Sequence, residues 1–270
     1  MWNYTWKTGV DTHGEPIHNT MYHGLFINAP KENYEFPYYT FMDHWGKATP
    51  SYPPRLGMRG YLETRFKKFG EPAWIHCKTV VKHVTFDEAT KKFTVRTRNY
   101  SEPKEKVEEF DYVVCSTGHF SFPNFPTIPG YETFSGTLIH SHDQRTFTNY
   151  KGKTVMVIGT SYSAEDIASI AYKNGATRLI CSYRTNPMPY EWPACFETHK
   201  LPTKIEGSTV HFEDGSVDVD VIVACTGFNL HYPFMEESIR LVSKNQLVPD
   251  NLYKTCCFIG NPQLFYLGMM

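Results

Sequence analysis

The amino-acid sequence predicts an α/β protein with two Rossmann-like, dinucleotide-binding domains, one of them inserted in the other. Two observations support this fold class. A strand–helix–strand pattern occupies residues 153–184, and an apolar strand that ends in Thr-Gly occurs twice, at 111–118 and at 220–227. Parallel strands joined by a crossover helix are the building unit of such folds. The expected domains are an incomplete first domain over 1–126, an inserted domain over 127–237 and a truncated return to the first over 238–270.

Composition narrows the classes of function. The chain has 270 residues, of which 41% are hydrophobic and 20% charged, so it has enough apolar side chains for a core. Its 27 basic and 28 acidic residues nearly cancel, which gives no electrostatic case for binding nucleic acid or an anionic membrane. No apolar run approaches the roughly 18 residues of a membrane span, and the N-terminus lacks the layout of a signal peptide.

The seven cysteines show no C-x-x-C pair and no spacing of the zinc-site type. Cys115, Cys181 and Cys225 lie in apolar, β-branched stretches, where a thiol behaves as a small hydrophobic group. We therefore expect a reducing, cytoplasmic compartment and no disulfide framework. His140 and His142 share one face of a strand, but no cysteine or carboxylate cluster joins them in the sequence, so we expect no metal site.

The first half of the chain begins irregularly. The first fifty residues are rich in aromatic residues, Pro, His and Asn without a sustained period, as in a ligand-wrapping loop or an interrupted fragment. Leu62, Phe66 and Phe69 stand at helical spacing and predict a helix over 56–69, which Gly70 ends. Short strands are predicted after this helix at Trp74–Val81, His83–Phe86, Phe93–Arg98 and Phe110–Cys115.

Each copy of the repeat follows a predicted antiparallel strand pair. Residues 84–86 pair with 93–97 before the first copy, and 209–212 turn through Glu213-Asp214-Gly215 before the second. Two copies of a hairpin followed by a strand ending in Thr-Gly predict two related domains. Chance similarity between two buried strands is the alternative.

The turn that begins at Gly159 has the pattern of a relaxed dinucleotide fingerprint. It closes the predicted strand 153–159 and opens the predicted helix 163–174, which is the context that the motif requires. The first glycine permits the tight turn, and small residues after it let the backbone approach a pyrophosphate at the helix N-terminus. Ser161 and Ala164 stand where G-x-G-x-x-G has its second and third glycines.

The end of the next strand indicates which dinucleotide fits. An NAD site usually carries an acidic residue here, whereas this chain has Arg184 and Thr185. A guanidinium suits a ribose 2′-phosphate, so we expect NADP(H) rather than NAD(H). Two structural alternatives stay open. Arg184 would then be an ordinary surface residue, and the turn would start a helix with Ser163 and Asp166 as its capping box.

At this point the sequence resembles the flavin-containing monooxygenases, and most closely the bacterial-type trimethylamine monooxygenases. The resemblance covers essentially all 270 residues, and three segments carry it: Phe134-x-Gly136-x-x-x-His140, Gly159-x-Ser161-x-Ser163-Ala164 and Thr226-Gly227-Phe228. One departure is Gln144, where the family's identifying sequence usually has an aromatic residue. Another is the missing strand and G-x-G-x-x-G loop for FAD before Trp2. A third is the stop at Gly268-Met269-Met270, where the family continues into flavin-contacting residues. We therefore expect a fragment truncated at both ends, and whether it holds FAD by itself stays open.

The resemblance implies an NADPH- and FAD-dependent monooxygenase. In such enzymes a peroxyflavin formed with O2 oxygenates the nitrogen or sulfur of a small soft nucleophile such as trimethylamine. The implied partners are a small amine or sulfide and O2, and a homodimer is left open. A Baeyer–Villiger-type monooxygenase acting on ketones and a non-catalytic nucleotide-binding remnant are the alternatives. A disulfide reductase is disfavoured because it needs a redox-active dithiol, and the sequence has no C-x-x-C pair to supply one.

The resemblance also implies roles for particular residues. Asn28 would lie beside the flavin as the catalytic residue, its amide bonding the peroxyflavin and the nicotinamide ribose; the alternative is an ordinary turn asparagine. Trp2 and His18 match positions that touch FAD, and Val81 matches one that meets its adenine portion; for each, an ordinary packing or surface role is the alternative. Tyr162 would stack on NADP and gate the substrate pocket; the alternative is that it only covers the fingerprint helix. The NADP(H) positions are Gly159, Ser161, Tyr162, Ser163, Arg184 and Thr185.

Overall fold

The computed structural model describes residues 2–70, 75–243 and 249–268. Its α-helices are α1 (Phe41–Trp45), α2 (Arg55–Lys68) and α3 (Tyr162–Lys173), with short 3-10 helices at Lys31–Tyr34, Tyr131–Thr133, Ser141–Asp143, Thr148–Tyr150 and Glu237–Ile239. Its strands are β1 (Thr79–Asp87), β2 (Lys92–Asn99), β3 (Glu105–Phe110), β4 (Val113–Cys115), β5 (Phe122–Pro123), β6 (Thr137–His140), β7 (Thr154–Ile158), β8 (Arg178–Tyr183), β9 (Phe196–Lys200), β10 (Lys204–Glu206), β11 (Thr209–Phe212), β12 (Gly215–Asp218), β13 (Val221–Ala224), β14 (Phe228–Asn229), β15 (Leu252–Tyr253), β16 (Cys257–Phe258) and β17 (Leu264–Tyr266).

The chain divides into two compact units. The first unit comprises Met1–Gly9, Asn19–Gly70 and Phe125–Thr226, and the second comprises Val10–His18, Glu71–Asn124 and Gly227–Met270. Both contain strands that pair in parallel, and the predicted α/β class is confirmed. The assignment of FAD and NADPH to the three predicted domain segments stays a prediction.

A five-stranded parallel sheet forms the centre of the first unit, in the order β6-β13-β7-β8-β9. The predicted strand–helix–strand unit is confirmed as β7, α3 and β8, with Ile158 opposite Ser182. The helix buries one stripe of small and branched side chains, because these residues recur at helical spacing. The buried residues of this stripe are Ala164, Ile167, Ala168 and Ala171.

Alternation along β7 fills the cores on both faces of this sheet. Val155 and Val157 point to the α3 side and join the cluster of that helix. Met156 and Ile158 point to the opposite side, where they pack with apolar residues of the antiparallel sheet β10-β11-β12. The hairpin predicted from the Glu213-Asp214-Gly215 turn is confirmed as β11 and β12. This two-sided burial holds the carboxyl ends of the parallel strands in fixed positions.

The N-terminal part of the first unit packs around α2. This helix confirms the one predicted over 56–69, with bounds one residue earlier. Met58 and Tyr61 are its buried residues, and they share an aromatic cluster with Tyr39 and Phe41 of the preceding segment. The ring of Tyr61 stacks on Phe41 at 4.0 Å and on Tyr39 at 5.3 Å. Aromatic stacking thus orders part of a segment that has little regular secondary structure.

The second unit contains the antiparallel sheet β1-β2-β3, in which two predicted strand bounds were wrong. The predicted strands 74–81 and 83–86 belong to one strand, β1, which begins only at Thr79 and has a register shift between Val81 and His83. Trp74 lies outside the described residues. The predicted strand 110–115 is divided between β3 and β4, because Phe110 pairs with β2 whereas Val113 enters another sheet.

The first copy of the Thr-Gly repeat lies in another sheet of the second unit, which has the strand order β15-β16-β17-β4. Here β4 runs parallel to β17, and Cys115 packs in a core with Phe93, Leu264 and Tyr266. The second copy is β13 in the first unit. Within the described ranges, no helix has both the length and the apolar character needed to cross a membrane.

Candidate functional site

The predicted fingerprint turn lies at the carboxyl ends of three adjacent parallel strands. Gly159 donates its N–H to the Ser182 carbonyl at 2.9 Å, and Cys225 donates to the Ile158 carbonyl at 2.9 Å. The φ of Gly159 is +129°, and a Cβ built there would lie 2.4 Å from the Cys225 carbonyl oxygen. A glycine is therefore required at this position by the close approach of the end of β13. Burial raises the pKa of the Cys225 thiol, consistent with a packing role.

Helix α3 begins directly after this turn, and its first turn is open. Its N-cap residue is Ser161, whose side chain makes no capping hydrogen bond. The capping box considered for Ser163 and Asp166 is wrong, because Ser163 lies inside the helix, two positions after the N-cap, and Asp166 accepts from the Tyr22 hydroxyl. Ser161, Tyr162 and Ser163 are all exposed. An uncapped helix N-terminus with exposed serines offers N–H and hydroxyl donors to an anion.

Arg184 and Thr185 follow the neighbouring strand β8 at the same edge of the sheet. The pairing of Ile158 with Ser182 brings the end of β8 beside the turn at Gly159. Both residues are exposed. The guanidinium adds a full positive charge close to the partial positive charge of the helix terminus. This combination suits a phosphorylated nucleotide, and the individual roles of these residues stay predictions.

An aromatic hydroxyl from the segment after β8 contacts the first turn of α3. Tyr190 donates to the Glu165 carboxylate at 3.0 Å. That contact raises the pKa of Tyr190, and the nearby Tyr162 adds to the rise. Sequence reasoning missed the contact of Tyr190 with Glu165, because residues 184–195 show no periodicity that would place Tyr190 against the predicted helix.

The predicted catalytic Asn28 lies in the first unit, on an exposed turn. Tyr34 donates its hydroxyl to the Asn28 side-chain oxygen at 3.0 Å, which leaves the amide N–H groups available to another acceptor. Backbone bonds hold the preceding residues, with Arg55 N–H on the Leu25 carbonyl at 2.9 Å. Trp2, predicted to touch FAD, packs against the aromatic cluster of α2.

A partly buried contact ties the segment before Asn28 to α3. Tyr22 packs in the α3 core, and its hydroxyl donates to the Asp166 carboxylate. Burial raises the pKa of Asp166, partly offset by Lys173. The sequence offered no signal for this pair, whose members are separated by 144 positions.

His18 and Val81, predicted to contact FAD, lie in the second unit. His18 is exposed, and Val81 lies on β1 opposite Thr97, at the start of the register shift, with 38% of its surface exposed. The structure therefore groups Trp2, Asn28 and the NADP(H) residues in one unit and these two residues in the other. Their contact with FAD stays a prediction.

The segment from Phe134 to His140, which resembles the identifying sequence of the family, has a packing role. A Cβ at Gly136 would lie 2.4 Å from the Asp220 carbonyl oxygen, so β6 and the start of β13 approach too closely for a side chain. His140 is fully buried, and its Nδ1 accepts from the His142 N–H at 3.1 Å. Gln144, the departure from the family pattern, is also buried and accepts from the Tyr150 hydroxyl at 2.5 Å.

Neither a metal site nor a cradle for the FAD pyrophosphate can be assigned to these residues. The described part of the chain contains no group of three or more His, Cys, Asp or Glu side chains that would hold a metal ion. In the same part of the chain, only the unit of β7, α3 and β8 joins a strand of the parallel sheet to a helix through a turn that begins with glycine. The hydrogen-bond donors of this unit suit one dinucleotide. They fit NADP(H), which leaves the FAD pyrophosphate without a cradle among these residues.

Comparisons with known proteins identify the family of the chain. The chain matches a family model described as flavin-binding monooxygenase-like over residues 5–188 and 198–265. Over all 270 residues it is 46% identical to the trimethylamine monooxygenase of Methylocella silvestris and 44% identical to that of Roseovarius nubinhibens, covering 60% of each. It superposes on the crystal structure of Tmm from Pelagibacter sp. strain HTCC7211 with a TM-score of 0.94 at 40% identity, covering all of this chain and 61% of that one.

Proposed function

Because the chain belongs to the flavin-binding monooxygenase-like family, we propose that it works as an NADPH- and FAD-dependent monooxygenase that oxygenates small soft nucleophiles such as trimethylamine. The substrate class is proposed from the trimethylamine monooxygenases, to which the chain is 40–46% identical over its full length. Since the chain spans about 60% of the length of these relatives, the activity is a proposal for the family's whole catalytic unit.

One observation in the structure carries the proposal. The open N-terminus of α3 follows a turn in which only glycine fits, and Arg184 stands beside it at the end of β8. In the proposed complex the N–H groups and serine hydroxyls at Ser161 and Ser163 bind the pyrophosphate. Arg184 and Thr185 bind the ribose 2′-phosphate. When bound, NADPH supplies a hydride and FAD supplies the oxygen chemistry.

Asn28 is proposed to orient ligands in this unit. Its side-chain oxygen already accepts from Tyr34, so the amide orientation is fixed with the N–H groups directed away from that hydroxyl. A fixed donor of this kind can hold the nicotinamide ribose or stabilise an oxygen atom that gains negative charge.

A binding experiment tests the nucleotide site. Arg184→Ala is expected to weaken NADPH binding by about 1–3 kcal/mol and to leave NADH binding nearly unchanged, because only NADPH carries the 2′-phosphate. Titration of the 270-residue chain with both dinucleotides, followed by intrinsic fluorescence, measures the two affinities. Arg178→Ala is the matched control, since Arg178 lies at the other end of the same strand, away from the proposed site, and pairs with Glu197. Equal loss of NADPH and NADH would contradict the assignment.

Turnover tests the oxygenation, in a chain extended to the full length of its relatives. Trimethylamine should stimulate NADPH oxidation and yield the N-oxide. Asn28→Ala should still consume NADPH but release hydrogen peroxide instead, whereas the neighbouring Asn33→Ala should not. Unchanged coupling of NADPH to product in Asn28→Ala would rule out the proposed role of Asn28. Turnover with ketones in place of amines would favour the Baeyer–Villiger alternative.

A further inference from the structure

The connection between β8 and β9 forms an irregular strap against α3, here called the crossover strap (residues 184–195). Its Met188 is buried in the α3 core, and its Trp192 stacks on Phe196 at 4.4 Å with the rings nearly parallel. Phe196 in turn meets the edge of Tyr172 near the end of α3 at 5.7 Å. The strap and the adjoining Phe196 therefore follow α3 toward the end of the helix that lies opposite the proposed nucleotide site.

Near the α3 N-terminus, the crossover strap contacts the acidic side chain of Glu165 through the hydroxyl of Tyr190. The Tyr190 hydroxyl donates to Glu165 Oε2 at 3.0 Å, and the ring of Tyr190 meets the edge of Trp192 at 5.7 Å. Tyr190 is half exposed, so the anchored Trp192 and the Glu165 carboxylate define its position. The strap also begins with Arg184, which belongs to the proposed nucleotide site.

Glu165 presents an electrostatic difficulty for that site. It is the one acidic residue in the first turn of α3 and stands four positions after the N-cap Ser161. A carboxylate there is attracted to the same helix N-terminus that would bind the phosphates. Left without a partner, it would compete with the dinucleotide as an internal anion or repel it across about one helical turn.

We propose that Tyr190 is a positioning residue that holds the Glu165 carboxylate aside and so keeps the α3 N-terminus open to the phosphates of NADPH. This inference rests on the proposed function, because it concerns the same nucleotide site. In this role the Tyr190 hydroxyl counters a negative charge of the protein itself, the Glu165 carboxylate, that would compete with the phosphates. Tyr190 acts through Glu165, and the dinucleotide need not touch it.

A double-mutant cycle tests the proposal in the 270-residue chain. Tyr190→Phe is expected to raise the Kd for NADPH about three- to ten-fold, because it frees the carboxylate but keeps the ring. In a Glu165→Gln background, Tyr190→Phe should change the Kd by less than about two-fold. The loss in the single variant should shrink when salt is raised to about 0.5 M, since the repulsion is screened. Tyr172→Phe, near the far end of the same helix, is the control and should bind NADPH like wild type.

The outcomes separate this proposal from the proposed function. If Tyr190→Phe weakens NADPH binding equally with and without Glu165→Gln, Tyr190 is structural and the proposal is overturned. An unchanged Kd in Tyr190→Phe overturns it as well. In both cases, preferential NADPH binding by the wild-type chain would leave the nucleotide site standing. If the wild-type chain binds no dinucleotide, the site and the positioning role fall together.

Discussion

The two copies of the Thr-Gly repeat differ in how completely their sheets enclose them. In the first unit, β13 lies between β6 and β7 and all four of its residues are buried. In the second unit, β4 pairs with β17 within the described residues, and its burial is uneven. Val223 and Val114 occupy the same position relative to Thr-Gly, yet one is fully buried and the other 54% exposed. Enclosure is therefore decided by neighbouring strands and not by the strand's own sequence.

The turns that follow β4 and β13 are alike, although the surroundings of the two strands differ. Gly118 and Gly227 both adopt left-handed backbone, with φ of +78° and +83°. Each copy is also preceded by a three-stranded antiparallel sheet, β1-β2-β3 or β10-β11-β12. Local turn geometry is thus repeated where the sequence is repeated, because glycine adopts this conformation without a steric penalty.

The largest expected effect tests how tightly the enclosed copy is packed. Gly159→Ala would place a Cβ 2.4 Å from the Cys225 carbonyl at the end of β13, with backbone at φ +129° that other residues rarely adopt. We expect it to lower the free energy of unfolding by about 3 kcal/mol, measured by urea denaturation. Gly152→Ala is the control: its φ is +75° but its Cβ would meet open space, so only about 1–2 kcal/mol of backbone strain is expected. Equal losses would mean that the approach of β13 is not tight.

The second prediction compares the two copies directly. Val223→Ala removes two buried methyl groups from the centre of the five-stranded sheet and should cost about 2 kcal/mol of unfolding free energy. Val114→Ala makes the same change at the equivalent position of β4 and should cost less than about 0.5 kcal/mol, because that side chain is half exposed. Similar losses in the two variants would show that β4 is as enclosed in solution as β13.

Sequence reasoning succeeded where the signal was local. The unit of β7, α3 and β8 was predictable because a β-branched run, a glycine turn and a helical stripe follow one another within thirty residues. It failed at β3, whose six residues include three glutamates and a lysine and show no hydrophobic period. That strand exists because it pairs with β2 along its whole length, from Phe93 opposite Phe110 to Arg98 opposite Glu105. Such pairing is not visible in a single strand.

The candidate site divides in the same way. Gly159, Ser161 and Arg184 could be found because a strand, a turn and a strand end mark them in the sequence. The contact of Tyr190 with Glu165 could not, because it joins an irregular strap to a helix through the fold. The bond from Tyr22 to Asp166 is equally invisible, since neither residue lies in a recognisable pattern with the other.

The third prediction concerns a carboxyl group in the enclosed unit. Burial raises the pKa of Asp166 above its ordinary value of 3.8, so the folded state favours the protonated form. Its contribution to stability is then largest below pH 3.8 and declines as the pH rises through the raised pKa. Asp166→Asn keeps an acceptor for Tyr22 and does not ionise. Its unfolding free energy relative to wild type should therefore increase between pH 4 and pH 7, in urea denaturation series. A constant difference across this range would contradict the burial of the charge.

The smallest effect is expected at Glu15 in the second unit, where the sign is opposite. Its carboxylate accepts from Lys82 at 2.6 Å and from the Tyr100 hydroxyl, and these bonds lower the pKa of Glu15 below its ordinary value of 4.5. The stabilisation is present above pH 4.5 and is lost as the pH falls through the lowered pKa. Glu15→Gln should cost no more than about 1 kcal/mol at pH 7, because the pair is partly solvated, and the loss should vanish in acid. If acid affected Glu15→Gln and Asp166→Asn with the same sign, the charge environments of the two units would not differ as the structure indicates.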